Sequence, residues 1–451
     1  MSAVDPARQA ALDVLRAVRI DEAYANLALP TILRERGISG RDAAFATELA
    51  YGTLRWQGWY DAVINACVDR APDDIEHGVR EVLRLGAHQL LAMRVPVHAA
   101  INSSVDLARI TGNPGSARGR SGFVNAVLRR IAERDAQAWA EHLGVLTGGD
   151  EQLATRWSHP LWIVRAFAES LGSRRDELLS LLQADNESVR PSLVAIPGRL
   201  EEADLLALPG VEAPLWSPIG GRLASGAPDA IPDLAAGRVR VQDEGSQLVA
   251  LALARAQVDG SESAWLDTCA GPGGKAAVLA GLAGERGCSV TAVEQHPHRA
   301  RLVEESLRGA GNAQVVVGDA TTRPWGDRSF DRVLVDAPCT GLGALRRRPE
   351  ARWRKTPADL ATLAPLQRGL LNAALDAVRP GGVVAYVTCS PHLAETEFVV
   401  ADVVKRRTDV SVEQARDLLP EVPDCGDGPY VQLWPHRHQT DAMFLSILRR
   451  S

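Results

Sequence analysis

Apolar residues in the first third of the chain recur at helical spacing. The spacing of three or four residues is seen in Ala11, Val14, Leu15 and Val18. It returns around Val82–Leu91, and runs of β-branched residues are few. A period of 3.6 residues predicts helices that each bury one face. We therefore predict an all-α domain over residues 1–140.

A different pattern begins after Val239. Short apolar runs alternate there with helix-length segments, and the runs read AWLDTCA, SVTAVE, AQVVVGD, FDRVLVDAP and GGVVAYVTCS. Alternation of this kind predicts an α/β domain over residues 237–451, with a mostly parallel sheet and helices on both faces. Residues 141–236 mix helical stretches with one strand candidate, SLVAI, and a stretch rich in Pro and Gly. They are predicted to form a small connecting α+β module and linker.

Composition indicates the class of protein and the cellular compartment. A chain of 451 residues with 46% hydrophobic and 24% charged residues is typical of a globular protein with two or three domains. The net charge of -6 argues against a protein that coats nucleic acid indiscriminately, but it allows a local basic groove. The amino terminus lacks a signal-peptide pattern and no apolar run reaches membrane-spanning length, so we expect a cytoplasmic protein without membrane contact.

Six scattered cysteines predict free thiols rather than a disulfide framework. None of them forms a C-x-x-C pair, and we therefore expect no structural metal. They are Cys67, Cys269, Cys288, Cys339, Cys389 and Cys425.

Residues just after each predicted strand suggest a cofactor site, because ligands of open α/β sheets bind at the carboxyl ends of the strands. The first apolar run ends in a Gly-rich turn that opens a helix, made of Cys269, Ala270, Gly271, Pro272, Gly273, Gly274 and Lys275. The second run ends at Glu294 and the third at Asp319, and acids in such places often contact a nucleoside. The glycine spacing does not fit a phosphate-binding loop, which leaves S-adenosylmethionine or NAD as the cofactor.

The fourth and fifth apolar runs each end in a cysteine. Asp336 and Cys339 follow one strand and Cys389 follows the next, so both thiols are expected at one crevice. Methylation of cytosine carbon 5 suits this arrangement. A thiolate that adds to carbon 6 makes carbon 5 nucleophilic, Asp336 can assist at ring nitrogen 3, and the second thiol can act in the release step.

These motifs resemble the 16S ribosomal RNA cytosine-5 methyltransferases called RsmB, also Sun or Fmu, of the Nol/Nop/Sun group. The resemblance rests on the Gly-rich loop, the Asp-Ala-Pro-Cys motif ending at Cys339 and the Thr-Cys-Ser motif around Cys389. It implies a Rossmann-like class I methyltransferase domain with a seven-stranded sheet. S-adenosylmethionine is then held by the loop, by Glu294 at the ribose, by Asp319 at the adenine and by Asp336.

The same resemblance makes Cys389 the nucleophile and Cys339 the residue of product release, since the RNA enzymes use the cysteine of Thr-Cys-Ser. The helices with ELAYGTLRW and GFVNAVLRRI resemble the RNA-binding domain of NusB. After the Thr-Cys-Ser motif this chain departs from its relatives, with Pro391–Glu397 in place of a Glu-Glu-Asn cluster.

A basic stretch after Cys339 is predicted to contact RNA. Its members are Arg346, Arg347, Arg348, Arg352 and Trp353, the last as a stacking platform. The expected substrate is 16S rRNA, unassembled or partly assembled, with no obligate protein partner. Alternatives are a tRNA cytosine-5 methyltransferase, an inactive NusB-like RNA-binding protein and, more distantly, an NAD-dependent dehydrogenase.

Overall fold

The computed structural model describes residues 4–69, 71–225, 228–327 and 329–451. The chain divides into two units by its internal contacts. Unit 1 comprises Met1–Glu187 and Leu345–Arg354, and unit 2 comprises Ser188–Ala344 and Lys355–Ser451. The division into three domains remains a prediction, and the residues of its connecting module are shared between the two units.

Unit 1 is helical, as the apolar spacing predicted. Its eleven α-helices before residue 188, among the described residues, are α1 Pro6–Ile20, α2 Ala25–Glu35, α3 Gly40–Arg55, α4 Gln57–Ala66, α5 His77–Leu91, α6 Val97–Ile110, α7 Ala117–Ile131, α8 Ala136–His142, α9 Asp150–Arg156, α10 Leu161–Leu171 and α11 Leu178–Ala184. Asp5 caps α1 by accepting a hydrogen bond from the backbone N–H of Arg8, and Pro6 occupies the first turn. Ala7, Ala10, Ala11 and Val14 of α1 are buried, which is the one-sided burial that the spacing requires.

Unit 2 begins with a small antiparallel sheet. Its strands are β1 Ser192–Ala195, β2 Val211–Glu212, β3 Gly220–Leu223 and β4 Val239–Val241, in the order β2-β3-β1-β4. The strand candidate SLVAI is thereby confirmed as β1.

The main sheet of unit 2 has seven strands in one continuous order, with one more beside β12. The strands are β5 Ala264–Asp267, β6 Ser289–Glu294, β7 Ala313–Val317, β8 Phe330–Asp336, β9 Val378–Thr388, β10 Val410–Glu413, β11 Val431–Gln432 and β12 Phe444–Arg450. Their order is β10-β12-β9-β8-β5-β6-β7, and the pairings from β9 to β7 are all parallel. This confirms the mostly parallel sheet. The direction of strand succession reverses between β5 and β8, which is where a doubly wound sheet opens a ligand crevice.

The α-helices after residue 187, among the described residues, are α12 Glu202–Leu206, α13 Pro232–Ala235, α14 Glu244–Arg255, α15 Gly274–Gly284, α16 Pro297–Leu307, α17 Ala351–Arg354, α18 Pro357–Ala377, α19 Glu397–Val404 and α20 Pro435–His438. All belong to unit 2 except α17, which belongs to unit 1. No helix among the described residues is long and apolar enough to cross a membrane.

Both faces of the main sheet are covered, because successive side chains of β8 and β9 enter two different cores. Leu334 packs with apolar residues of α14 and α15 on one face. Val333 and Val335 pack with α18 and α19 on the other. Burial on both sides explains why these strands are continuous apolar runs rather than alternating ones.

The segment Leu345–Arg354 is held in unit 1 by Arg352, whose side chain is completely buried. Its Nη1 donates to the carbonyls of Arg55 and Ser158 at 2.9 and 3.1 Å and to Oδ1 of Asn186 at 2.7 Å. Its Nη2 donates to the carbonyl of Asp185 at 2.7 Å. The RNA contact expected of Arg352 is not supported, since its guanidinium is enclosed by protein acceptors. A basic sequence pattern does not distinguish this role from phosphate binding.

We predict that Arg352→Ala destabilises unit 1 by about 3 kcal/mol or more, because it leaves several buried acceptors without a donor. Thermal unfolding of the full chain measures this. Arg165→Ala is the matched control, since Arg165 lies on α10 and is exposed. Unchanged stability of Arg352→Ala together with weakened RNA binding would restore the phosphate-contact interpretation.

Candidate active site

The carboxyl ends of neighbouring strands bring the candidate residues of unit 2 to one edge of the sheet. Asp267 ends β5 and pairs in register with Leu334 of β8. Asp336 ends β8 and pairs with Val387, two residues before Cys389. Glu294 ends β6 on the other side of β5. The site is therefore assembled around the point where the strand order reverses.

The Gly-rich turn between β5 and α15 is close-packed, and two of its glycines are needed for that packing. Gly273 has a φ of 108°, and a Cβ there would lie 2.4 Å from Ser306. A Cβ on Gly271 would lie 2.0 Å from Oε2 of Glu294. The turn leads directly into the amino end of α15, where free backbone N–H groups and the helix dipole favour a carboxylate ligand.

Glu294 is buried against this turn. Its Oε1 accepts a hydrogen bond from the backbone N–H of His296 at 2.9 Å, and Oε2 lies 3.6 Å from Nε of Arg299. Arg299 also donates to the carbonyl of Gly271 at 2.8 Å. These contacts fix the carboxylate beside the glycine turn.

Asp319 caps the short turn that follows β7. Its Oδ1 accepts hydrogen bonds from the backbone N–H and the hydroxyl of Thr321, at 2.8 and 2.7 Å. The structure therefore shows a capping role for Asp319. Its expected contact with an adenine stays a prediction.

Lys275 and Asp336 form an ion pair at the centre of the site, with Nζ 2.8 Å from Oδ2. Burial lowers the pKa of Lys275, but the charge and hydrogen bond of Asp336 outweigh it and raise the pKa overall. Lys275 therefore carries its positive charge beside the two cysteine motifs.

Asp267 is a functional candidate that the sequence motifs did not single out. It is completely buried, and burial together with the charge of Asp336 raises its pKa to about 7. Its Oδ1 accepts from the backbone N–H of Cys269, whereas Oδ2 is buried and accepts no hydrogen bond from the part of the chain that the structure describes. Its position at the first residue of the Asp-Thr-Cys-Ala-Gly sequence was the available signal.

Cys339 and Cys389 lie together, with their sulfur atoms 3.4 Å apart. The hydrogen bond from Cys339 lowers the pKa of Cys389, and the charge of Lys275 acts in the same direction against burial and Asp336. The same hydrogen bond, burial and the charge of Cys389 raise the pKa of Cys339 well above its usual value. Of the two thiols, Cys389 is thus the one whose surroundings favour the thiolate, and those of Cys339 favour the neutral thiol. Burial raises the pKa of the third nearby thiol, Cys269, and makes it a poor nucleophile.

The remaining residues of the basic stretch lie in unit 1. Arg346 is buried, Arg347 is exposed, and the guanidinium of Arg348 stacks on the ring of Tyr24 at 4.6 Å. Trp353 keeps 38% of its surface exposed and packs against Gly58. RNA contacts of Arg346, Arg347, Arg348 and Trp353 stay predictions.

Two family models match the chain. One, described as 16S rRNA methyltransferase RsmB/F, matches residues 253–449, and the other, the NusB family, matches residues 5–133. The two matches cover the α/β and the helical parts separately.

Relatives match over most of the chain. A Mycobacterium tuberculosis protein, described in general terms as a methyltransferase, is 50% identical over 99% of this chain and 97% of its own length. The ribosomal RNA small subunit methyltransferase B of Pseudomonas syringae is 32% identical over 87% of this chain and 85% of its own.

Two solved structures share the fold. PH0851 is 22% identical, with a TM-score of 0.78 over 99% of each chain. NSun6 from Pyrococcus horikoshii, solved with SFG, is 18% identical, with a TM-score of 0.55 over 64% of this chain and 98% of its own.

Asp267 predicts a pH-dependent stability. Its pKa is raised from near 4 in the unfolded chain to about 7 in the folded protein, so the stability it contributes is fully present below about pH 4 and is lost progressively as the pH rises to about 7. Asp267→Asn removes this titration. Relative to wild type, the variant should gain up to roughly 4 kcal/mol between pH 4 and pH 8.

Thermal unfolding of the cofactor-free protein at several pH values measures this gain. Asp417→Asn is the control, because Asp417 is exposed. A difference between Asp267→Asn and wild type that does not change with pH would contradict the shifted pKa.

Proposed function

Because this chain belongs to the RsmB/F family of 16S rRNA methyltransferases and carries a NusB-family domain, we propose that it methylates carbon 5 of a cytosine in 16S rRNA. Family membership makes the protein an S-adenosylmethionine-dependent RNA methyltransferase. The methylated atom, the covalent mechanism and the choice of 16S rRNA are the proposal. The observation that carries it is the thiol pair, in which one sulfur lowers the pKa of the other.

Cys389 is the nucleophile in this mechanism. Its thiolate adds to carbon 6 of the cytosine and forms a carbon–sulfur bond, which moves electron density to carbon 5. We propose that Asp336, which pairs with Lys275, stabilises the base at ring nitrogen 3 during the addition. The covalent bond turns carbon 5, which is unreactive in the free base, into a nucleophile for the methyl group.

Cys339 acts after methyl transfer. Its pKa is raised by its hydrogen bond to Cys389, by burial and by the charge of that thiolate. Once Cys389 is bonded to carbon 6, its hydrogen bond and its negative charge no longer raise the pKa of Cys339, so Cys339 can pass its proton to solvent and become a base. Cys339 can then help to remove the proton from carbon 5, and the sulfur of Cys389 leaves as a thiolate.

The residues of the loop and the neighbouring acids fit the cofactor. S-adenosylmethionine supplies the methyl group as an electrophile on a positively charged sulfur and also carries an ammonium and a carboxylate. Asp267, Glu294 and Asp336 face this region, whereas Lys275 pairs with Asp336 and Arg299 with Glu294. One acid is left in surplus, which suits a cationic ligand. We propose that Cys269–Lys275 holds the amino-acid end, Glu294 the ribose and Asp319 the adenine side.

RNA recognition is proposed for unit 1, whose residues 5–133 match the NusB family. The exposed Arg347 and Trp353 are its candidates for phosphate and base contacts. Bisulfite sequencing of ribosomal and transfer RNA from a deletion strain distinguishes 16S rRNA from tRNA. Loss of a 5-methylcytosine from tRNA alone would overturn the choice of substrate.

Alanine substitutions of the two cysteines are predicted to block different steps of the reaction. Cys389→Ala should abolish methylation and any covalent protein–RNA adduct, because carbon 6 has no nucleophile. The Cys339→Ala variant should still attack and methylate the cytosine but should release the RNA slowly. A covalent protein–RNA adduct then accumulates and is detected on a denaturing gel.

Cys288→Ala is the control for loss of a thiol elsewhere in unit 2, since Cys288 is buried in the core. An adduct that survives Cys389→Ala and disappears in Cys339→Ala would exchange the two roles. Wild-type turnover by both variants would show that Cys339 and Cys389 only contribute to packing.

Glu294→Ala is predicted to weaken cofactor binding about ten- to hundredfold, the usual range for losing a hydrogen bond to a charged group. Calorimetry with S-adenosylmethionine measures the change. Glu304→Ala on α16 is the control, because Glu304 is exposed. Equal affinity in the Glu294 and Glu304 variants would remove Glu294 from the cofactor site.

A further inference from the structure

Glu395 is a buried carboxylate that the mechanism so far leaves without a role. It follows β9 in a short turn and is completely inaccessible to solvent. The hydroxyl of Tyr386 donates to its backbone carbonyl at 2.8 Å and fixes the turn. A charged group is costly to bury unless hydrogen bonds compensate it, so its partners show what it holds in place.

Both carboxylate oxygens of Glu395 bind the residue that follows Cys339. The backbone N–H of Thr340 donates to Oε1 at 2.8 Å, and its hydroxyl donates to Oε2 at 2.5 Å. Gln367 of α18 donates to Oε1 at 3.2 Å and to the carbonyl of Pro338 at 2.9 Å. Cys339 is therefore held from both sides, through Pro338 and through Thr340.

The same network reaches the residue that follows Cys389. The hydroxyl of Thr340 donates to Glu395 and so can accept from Ser390, whose Oγ lies 3.2 Å away. Ser390 is completely buried, and its backbone carbonyl accepts from the hydroxyl of Thr388 at 3.0 Å. A line of hydrogen bonds thus runs from Glu395 through Thr340 to Ser390, and each catalytic cysteine is joined to one member by a peptide bond.

We propose that Glu395 is the positioning residue of the two-thiol site, which sets Cys339 against Cys389 through Thr340 and Ser390. This inference rests on the proposed function, because it assigns Glu395 to the release step. Glu395 and Gln367 bind the two residues that flank Cys339, whereas Cys389 is reached only through Thr340 and Ser390. Loss of the carboxylate therefore impairs release more than attack.

Glu395→Gln tests the inference with little change of shape. An amide offers one oxygen where the carboxylate offers two, so a donor of Thr340 loses its partner. We expect kcat to fall about ten- to hundredfold. The KM for RNA and for S-adenosylmethionine should stay within about twofold, and adduct should accumulate as in Cys339→Ala. A merely structural role would lower the unfolding temperature without this split between kcat and KM.

Glu244→Gln is the matched control. Glu244 is also a buried carboxylate of unit 2, and it accepts hydrogen bonds from the backbone N–H groups of Leu215, Trp216 and Ser217. The same substitution there changes stability in a similar way but does not touch either cysteine. Equal turnover and equal adduct in the two variants would overturn the inference.

A second pair of variants decides the matter if Glu395→Gln does not fold. Thr340→Val removes the hydroxyl that links Glu395 to Ser390 and keeps the backbone N–H, whereas Thr340→Ser keeps both. Adduct accumulation in the valine variant with rescue by serine supports the inference, and wild-type release by the valine variant contradicts it. Absence of adduct in Cys339→Ala would instead reject the covalent mechanism itself, whatever the Glu395 variants do.

Discussion

Parallel pairing of β6, β5, β8 and β9 is the constraint on which the site depends. Adjacent parallel strands end at the same edge of a sheet, so the side chains after their last residues converge without any further device. Glu294, Asp267, Asp336 and Cys389 come from these four strand ends. The apolar faces of the sheet supply the stability that lets three acids be held close together, where their mutual repulsion alone would separate them.

One hydrogen bond helps to give two chemically identical side chains different pKa values. Cys339 and Cys389 occupy neighbouring strand ends, yet the pKa of one is raised and that of the other lowered. Lys275 adds to the difference because its charge favours the thiolate of Cys389, while Glu395 disfavours a thiolate on Cys339. The difference between the two proposed roles is thus a property of the surroundings rather than of the residue type.

Local patterns predicted much of this structure from the sequence. Helical spacing in unit 1 and apolar runs in unit 2 reflect burial by residues that are near in sequence. The glycine turn, Glu294 and the two cysteines lie at the ends of strands that the apolar runs predicted. Arg352 could not be assigned correctly, because its acceptors lie between residues 55 and 186 and only the folded unit brings them together. The contacts of Glu395 could not be predicted from the sequence either. Its partners Thr340 and Gln367 belong to other elements, and only the folded unit brings them to Glu395.

The ten residues Leu345–Arg354 make unit 1 discontinuous in sequence, and this limits the modularity of the protein. A recombination event that removed the helical unit by a single cut near residue 187 would leave behind a loop whose arginine is built for burial among carbonyls that no longer exist. Gain or loss of the helical unit during evolution therefore requires two coordinated changes, one at the amino end and one inside the catalytic domain.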